Sequence, residues 1–259
     1  FDVTVAPFYP VGDAGLKIAA HYYNHNMATN KGRLDAVMFG KILDSEQRKA
    51  LVWDVERGAP DKIVDEPWQS CSCIGGWHYN TSIYENNGYK SAASVVKLLV
   101  DIVSKNGNLL LSVPLRADGT FDEKEEAILN DFGDWMTVNK EGIIDTRPWK
   151  VFGEGPIAES TVPMNAQGFN EGTYNKATSR EIRFTQKDKN LYATVLAWPE
   201  EKQVIIKSLA KGNTLYPGKI SKVELLGYGK LTFTRTSQGL IINMPDKQTN
   251  KIAPVFKIK

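Results

Sequence analysis

Between residues 53 and 79 the chain reads WDVERGAPDKIVDEPWQSCSCIGGWHY. Trp53, Trp68, Trp77, His78 and Tyr79 lie there beside Asp54, Glu56 and Arg57, and three of the six tryptophans fall in this stretch. Aromatic walls with a few charged groups suit a carbohydrate or another ring-shaped ligand. The apolar face of a sugar stacks on indole, and its hydroxyls exchange hydrogen bonds with Arg, His and carboxylates. The same residues could instead fill a corner of a core, because tryptophan is mostly buried in folded proteins. The surrounding sequence has to decide between these two uses.

Other chemistries find less support. Cys71 and Cys73 are two apart, so in an extended segment both face one way. A disulfide across one intervening residue is strained, and two buried free thiols are expected. Two thiols and His78 do not make a metal site, and His21 and His25, four apart on an expected helix, lack a third ligand. No metal and no cofactor is expected. A net charge of +2 with scattered Lys and Arg gives no reason to expect nucleic acid or an anionic membrane as partner. No run of 18 apolar residues is present, so no transmembrane helix is expected. No secretion signal is visible, and the opening Phe1-Asp2-Val3 reads as a processed or truncated start.

The elements that would hold the aromatic stretch can be read in order. Residues 1–8 read as a buried strand ending in a Pro-rich loop. Asp13 caps a helix running to about Asn26. Residues 34–39 form a short apolar run, hence a buried strand, and 45–49 look helical. Residues 50–54 form another strand, and the aromatic stretch follows as a long loop, where a barrel places functional residues. Residues 92–104 carry a wide apolar stripe at helical spacing, stopped by Asn106-Gly107. Residues 108–114 read as a fully buried strand closed by Pro114. Asp122 then caps a helix with Glu125 placed as in a capping box, and Ile128, Leu129, Phe132, Trp135 and Met136 form its buried face. Alternating strands and helices argue a parallel sheet with crossover helices. After Arg147-Pro148 the pattern changes. Residues 149–178 read as linker and irregular structure, and seven strand candidates follow (181–185, 191–197, 203–209, 220–226, 231–235, 240–244 and 254–258). Their spacing suggests an antiparallel sandwich.

The segment Asn106-Gly-Asn-Leu-Leu-Leu-Ser-Val-Pro114, then Asp118-Gly119, Gly133-Asp-Trp135 and Asn139-x-Glu141-x-Ile143, resembles the end of the catalytic barrel of glycoside hydrolase family 29, the α-L-fucosidases. Pro67-Trp68-Gln69 with Gly76-Trp77-His78-Tyr79 is similar to that family's PWE/Q…SWGY segment, and Phe1-Asp2 to its WFD strand end. The likeness covers roughly residues 1–148. It implies the C-terminal half of a (β/α)8 TIM-like barrel (1–148) followed by an antiparallel β-sandwich with linker (149–259). The implied reaction is hydrolysis of terminal α-L-fucose from glycans with retention of configuration. The nucleophile then falls on Asp2 and the acid/base on Glu56, with Asp54 still open as its neighbour and Glu46 and Glu66 as weaker candidates. Retaining enzymes pair such carboxylates about 5–5.5 Å apart. Trp53 and the nearby aromatics would shield Glu56 from water. Trp77 is the expected stacking surface, with His78 or Tyr79 beside it. Arg116 could reach the site from the loop after Pro114.

Two departures from the family pattern bear on function. A (β/α)8 barrel needs about 250 residues, so the resemblance implies an N-terminal barrel portion of the same polypeptide as partner. The second departure is Lys41, which stands closest to where the family often has a substrate-contacting Arg. Lys lacks the planar fork of Arg. The substrate class implies an extracytoplasmic location. The rival reading is a non-catalytic carbohydrate-binding protein, a degenerate glycosidase in which the carboxylate pair does not work.

Overall fold

The computed structural model describes residues 14–259. The expected strand at residues 1–8, with Asp2, lies outside the described residues. The described residues open on helix α1 (Ala14–Thr29), which exposes Leu16, Tyr22 and Met27. Four strands follow, β1 (Phe39–Gly40), β2 (Val52–Glu56), β3 (Trp68–Cys73) and β4 (Gly107–Ser112). All pair in parallel in the order β1-β2-β3-β4. Helices α2 (Thr81–Glu85) and α3 (Ala92–Ser104) connect β3 to β4, and α4 (Glu123–Asn139) follows β4. The parallel sheet read from the sequence is therefore present, but α-helices connect only β3 to β4; β1 reaches β2 through a 3-10 turn and β2 reaches β3 through a helix-free loop.

Local sequence accounts for the helices. Ser91 accepts the Ser94 N–H at the start of α3. Asp122 and Glu125 form the expected capping box on α4. The α3 stripe buries Val95, Val96, Leu98, Val100 and Ile102. On α4 only Trp135 of the expected apolar face is fully buried; Phe132 and Met136 are partly buried against the same cluster.

Several expectations need correction. The aromatic stretch is no long loop: it holds most of β2 and all of β3. Its β-forming residues Trp53, Val55, Trp68 and Cys73 are buried, and burial outweighs the turn signals around them. The strand expected at 34–39 shrinks to Phe39–Gly40, and the helix at 45–49 to a 3-10 turn, Gln47–Lys49. β4 is not fully buried. Strand alternation turns Leu109 toward the core and Leu110 to the other face, where it is 56% exposed.

Residues 149–178 are also more than a linker. They include most of strand β5 (Arg147–Glu154) and a 3-10 helix, Asn170–Lys176. Beyond them come β6 (Ile182–Lys187), β7 (Asn190–Val195), β8 (Gln203–Ile206), β9 (Val223–Leu225), β10 (Gly229–Lys230), β11 (Phe233–Thr236), β12 (Gly239–Asn243) and β13 (Val255–Ile258). All seven sequence-derived strands are found, with β5 and β10 in addition. β10-β9-β13-β7-β6-β5 form one antiparallel sheet and β11-β12-β8 a second. Phe184, Val195, Val223 and Phe256 from the first meet Ile206, Leu240 and Ile242 from the second in one core.

The two parts share buried chemistry. Val96 and Val100 of α3 pack with Trp135, Tyr192, Leu196 and Val255. Asp101 of α3 accepts from Lys105 Nζ at 2.7 Å and from Arg183 Nε of β6 at 2.6 Å, all three being fully buried. Burial disfavours the Asp101 charge, but the two cations outweigh it and hold its carboxyl below the usual range. A buried ion pair with both partners present resists separation of the elements that carry it, since removing one charge strands the other.

Candidate active site

The residues singled out from sequence gather at one end of the parallel sheet. Lys41 directly follows β1, Glu56 is the last residue of β2, Trp77 and His78 lie in the loop after β3, and Arg116 in the loop after β4. All four strands run the same way, so these are all C-terminal strand ends, the end at which α/β sheets place their ligands. Glu46 and Glu66 precede β2 and β3 and sit at the other end; Glu46 is taken up by Lys49.

Alternation along β2 sorts its side chains. Trp53 and Val55 point to the helix side, into a cluster with Trp68, Leu98, Ile102 and Tyr174. Asp54 and Glu56 point to the opposite face, with Gln69 and Cys71 of β3 next to them in register. Lys41 reaches across from the end of β1. Its Nζ lies 2.9 Å from Asp54 Oδ2, 3.3 Å from Glu56 Oε2 and 3.0 Å from Cys71 Sγ. Burial works against the Lys41 charge. The hydrogen bonds with Cys71 and Asp54 and the Asp54 charge outweigh it, and the ammonium is held protonated well above the ordinary lysine range. Burial likewise pushes the Cys71 and Cys73 thiols up, so both remain protonated.

The two β2 carboxylates differ in availability. Asp54 accepts from Lys41 and from Gln69 Nε2 at 3.0 Å, lies 3.5 Å from Cys71 Sγ, and has a side chain 12% exposed. Glu56 has the Lys41 contact and a side chain 26% exposed. Asp54 is thus committed to the sheet, and Glu56 is the one open to a ligand.

Trp53 is corrected. It is 8% exposed, its Nε1 donates to Lys41 O at 3.0 Å, and the Arg48 guanidinium covers its ring at 3.7 Å. It lies on the face away from Glu56 and braces Lys41 from behind, so it neither shields Glu56 nor meets a ligand on that side. Trp77 is 43% exposed, and His78 is exposed beside it. Arg116 donates to Phe121 O and pairs with Glu123 at 3.2 Å, with its guanidinium 6.0 Å from the Tyr79 ring.

Sequence reading missed a second contributor. Glu171, buried on the 3-10 helix in the supposed linker, accepts from Arg57 Nε at 2.7 Å, Lys90 Nζ at 3.0 Å and the Ser72 hydroxyl. Burial opposes its charge, but these three donors hold its carboxyl below the ordinary glutamate range. No local signal in a Gly- and Asn-rich segment announces a residue whose partners lie about a hundred positions away. A cavity of about 520 Å³ lies elsewhere, between β5 and β8. Its buried carboxylate, Glu154, is consumed by the Lys207 and Ser208 N–H groups.

Residues 14–141 match the family Alpha-L-fucosidase, and residues 174–259 match the Alpha-L-fucosidase C-terminal domain. The plasma alpha-L-fucosidase of Rattus norvegicus is 28% identical over 196 residues, covering 73% of this chain and 37% of the rat protein. The tissue alpha-L-fucosidase of the same animal is 26% identical over 196 residues, covering 72% and 35%. The chain therefore spans little more than a third of the length of these curated relatives. Among solved structures, a Thermotoga maritima alpha-L-fucosynthase, in complex with alpha-L-Fuc-(1-2)-beta-L-Fuc-N3, superposes with TM-score 0.57 at 25% identity, over 76% of this chain and 40% of that one. A family 29 alpha-L-fucosidase from Bacteroides thetaiotaomicron, trapped as a covalent intermediate, gives TM-score 0.65 at 19% identity over 93% and 52%. One match takes in the parallel sheet with Lys41 and Glu56, the other the sandwich packed against it, and together they place this chain in the α-L-fucosidase family, glycoside hydrolase family 29.

Proposed function

We propose that the chain carries the proton-transfer side of a retaining α-L-fucosidase site, with Glu56 as acid/base and Asp2 as nucleophile. The observation that carries this reading is the placement of Glu56. It is a solvent-reachable carboxylate at a C-terminal strand end, 3.3 Å from the Lys41 ammonium, in the region matched to the family. Asp2, outside the described residues, enters through the Phe1-Asp2 resemblance alone.

In the first step the Asp2 carboxylate attacks the anomeric carbon of a terminal α-L-fucose on a glycan. The glycosidic C–O bond breaks as Glu56 gives its proton to the leaving oxygen, and a fucosyl ester on Asp2 results. In the second step ionised Glu56 takes a proton from water, the hydroxide attacks the anomeric carbon, and Asp2 leaves as carboxylate. Lys41, 3.3 Å away, holds the Glu56 side chain at the strand end. Asp54 keeps Lys41 in place, which leaves Lys41 a bridge within the protein more than a direct replacement for an arginine on the sugar. Trp77 supplies a stacking face, and His78 and Arg116 border it. The open sheet face, with Phe39 45% and Leu110 56% exposed, is the inner wall of a TIM-like barrel that an N-terminal portion of the polypeptide closes. Glycan hydrolysis places the protein outside the cytoplasm.

The test is turnover of 4-nitrophenyl α-L-fucoside by the full-length protein beside Asp2→Asn and Glu56→Gln. Loss of Glu56 is expected to lower kcat by about 10²–10⁴-fold, and Asp2→Asn to abolish ester formation. Wild-type turnover in Asp2→Asn sinks the nucleophile assignment. Fucose binding without any turnover by the intact protein sinks the enzyme reading.

A further inference from the structure

The loop that follows Glu56 is gripped from a distant part of the chain. Arg57 has φ +50°, a left-handed conformation that costs a non-glycine residue free energy and persists only where neighbours enforce it. Residues 165–171 do the enforcing. Gln167 Oε1 accepts the Glu56 N–H at 3.0 Å. The Glu171 N–H donates to Arg57 O at 3.0 Å, and Arg57 Nε returns to Glu171 Oε1 at 2.7 Å. Asn170 accepts from Ala59 N–H and donates to Ala59 O. Between these bonds, Gly58 lies so close that an added Cβ would fall 2.3 Å from Ala166 O. The same Gln167 amide donates through Nε2 to Lys41 O at 2.7 Å and to Asp54 O at 3.0 Å.

One side chain therefore ties the end of β1 to the end of β2, at the three residues whose side chains form the carboxylate-ammonium cluster. The amide orientation is fixed by its surroundings. One donor and two acceptors face it, and the flipped amide would oppose N–H to N–H.

We infer that Gln167 is a positioning residue for proton transfer: it fixes the backbone at Glu56 and Lys41 so that the Glu56 carboxyl is aimed at the leaving-group oxygen. This rests on the reading of Glu56 as the proton donor. Asn170 and Glu171 support the clamp by holding residues 57–59. A misplacement of about 1 Å at a reacting group can lower a rate by roughly 10²-fold. The effect falls on proton transfer by Glu56, to the leaving oxygen in the first step and from water in the second.

The experiment compares full-length wild type, Glu56→Gln, Gln167→Ala and Gln167→Met on a series of aryl α-L-fucosides. The leaving groups run from weakly basic 2,4-dinitrophenolate to strongly basic phenolate. A group that leaves as a stable anion needs no proton, and one that leaves as a strong base does. For Gln167→Ala, kcat/KM on the phenyl fucoside is expected to fall about 10–100-fold. On the dinitrophenyl fucoside kcat/KM should change about two-fold or less, because kcat/KM reports only the steps up to ester formation, while kcat there can fall through the second step, in which Glu56 is the base for every substrate. The ratio between the two substrates cancels any loss of folded protein, and Gln167→Met, which fills the same space without hydrogen bonds, should follow Gln167→Ala. An equal fall in kcat/KM on every substrate, or none, overturns the positioning role. If Glu56→Gln shows the leaving-group dependence and the Gln167 variants do not, only the clamp fails. If Glu56→Gln shows none, the proton-donor assignment fails and the inference with it.

Discussion

The Lys41 ammonium stands 3.3 Å from the Glu56 carboxylate and is at the same time held at 2.9 Å by Asp54. One cation thus serves two carboxylates of one strand, both on the face away from the core. Lys41→Met removes the shared charge and leaves two carboxylates facing each other in a partly buried place. It is expected to destabilise the fold by about 1–2 kcal/mol, below the value for a fully buried pair because the site is partly wet. Lys41→Arg keeps the charge and should lose less. Urea midpoints of the two variants check this, and equal destabilisation would show that charge is not what Lys41 contributes.

The two tryptophans first grouped together are expected to behave in opposite ways. Trp77→Ala removes an exposed ring, so stability should hold while KM for a fucoside rises about five-fold, the equivalent of roughly 1 kcal/mol of stacking. Trp53→Ala empties a core position beside Trp68 and should cost about 3–5 kcal/mol of stability. Thermal unfolding and Michaelis kinetics on both variants separate the two roles.

Glu171 predicts a pH signature. Its carboxyl is held below the ordinary value of 4.5 by Ser72, Arg57 and Lys90. A group depressed on folding contributes stability that is fully present above the unfolded value and is lost as pH falls through the folded value. Glu171→Gln is therefore expected to be less stable than wild type at pH 7, by about 2 kcal/mol for hydrogen bonds to charged groups. The gap should close as pH falls below about 4.5. Denaturant titrations at neutral and acidic pH test the sign; a gap that widens in acid contradicts it.

Gly107 explains part of the NGNLLL run that carried the family resemblance. A Cβ there would sit 2.5 Å from the Trp68 ring and 2.7 Å from Ile102. Asn106, at φ +74°, ends α3 and donates to Val64 O and Asp65 O. Gly107→Ala should destabilise by about 1–3 kcal/mol through overpacking, read as a lowered Tm, and Gly133→Ala, on helix α4 with nothing within 4 Å of its Cβ, should not.

These elements also mark what the sequence could reveal. The α3 stripe, the Asp122 capping box and the seven sandwich strands are written in local periodicity and capping chemistry, and they fold as read. Glu56 was singled out through the family resemblance, with Asp54 beside it, and it falls at the C-terminal end of β2. Trp53 was misassigned because composition does not say which face of a strand a ring occupies; the alternation with Asp54 and Glu56 on a strand would have said so. Gln167, Asn170 and Glu171 were invisible, since their role depends on partners brought near only by the packing of α3 against β5 and β6.

The bond between Glu56 and Gln167 spans 111 residues of chain. At ribosomal elongation of about 5–20 residues per second, roughly 5–20 seconds separate the emergence of the two. During that interval β2 can already lie beside β3, while Arg57 has nothing to hold it in its left-handed turn. The backbone geometry at Glu56 and Lys41 is then a late acquisition, completed only after the first strand of the sandwich has been made, and a nascent chain halted before Gln167 would hold these carboxylates without their final aim.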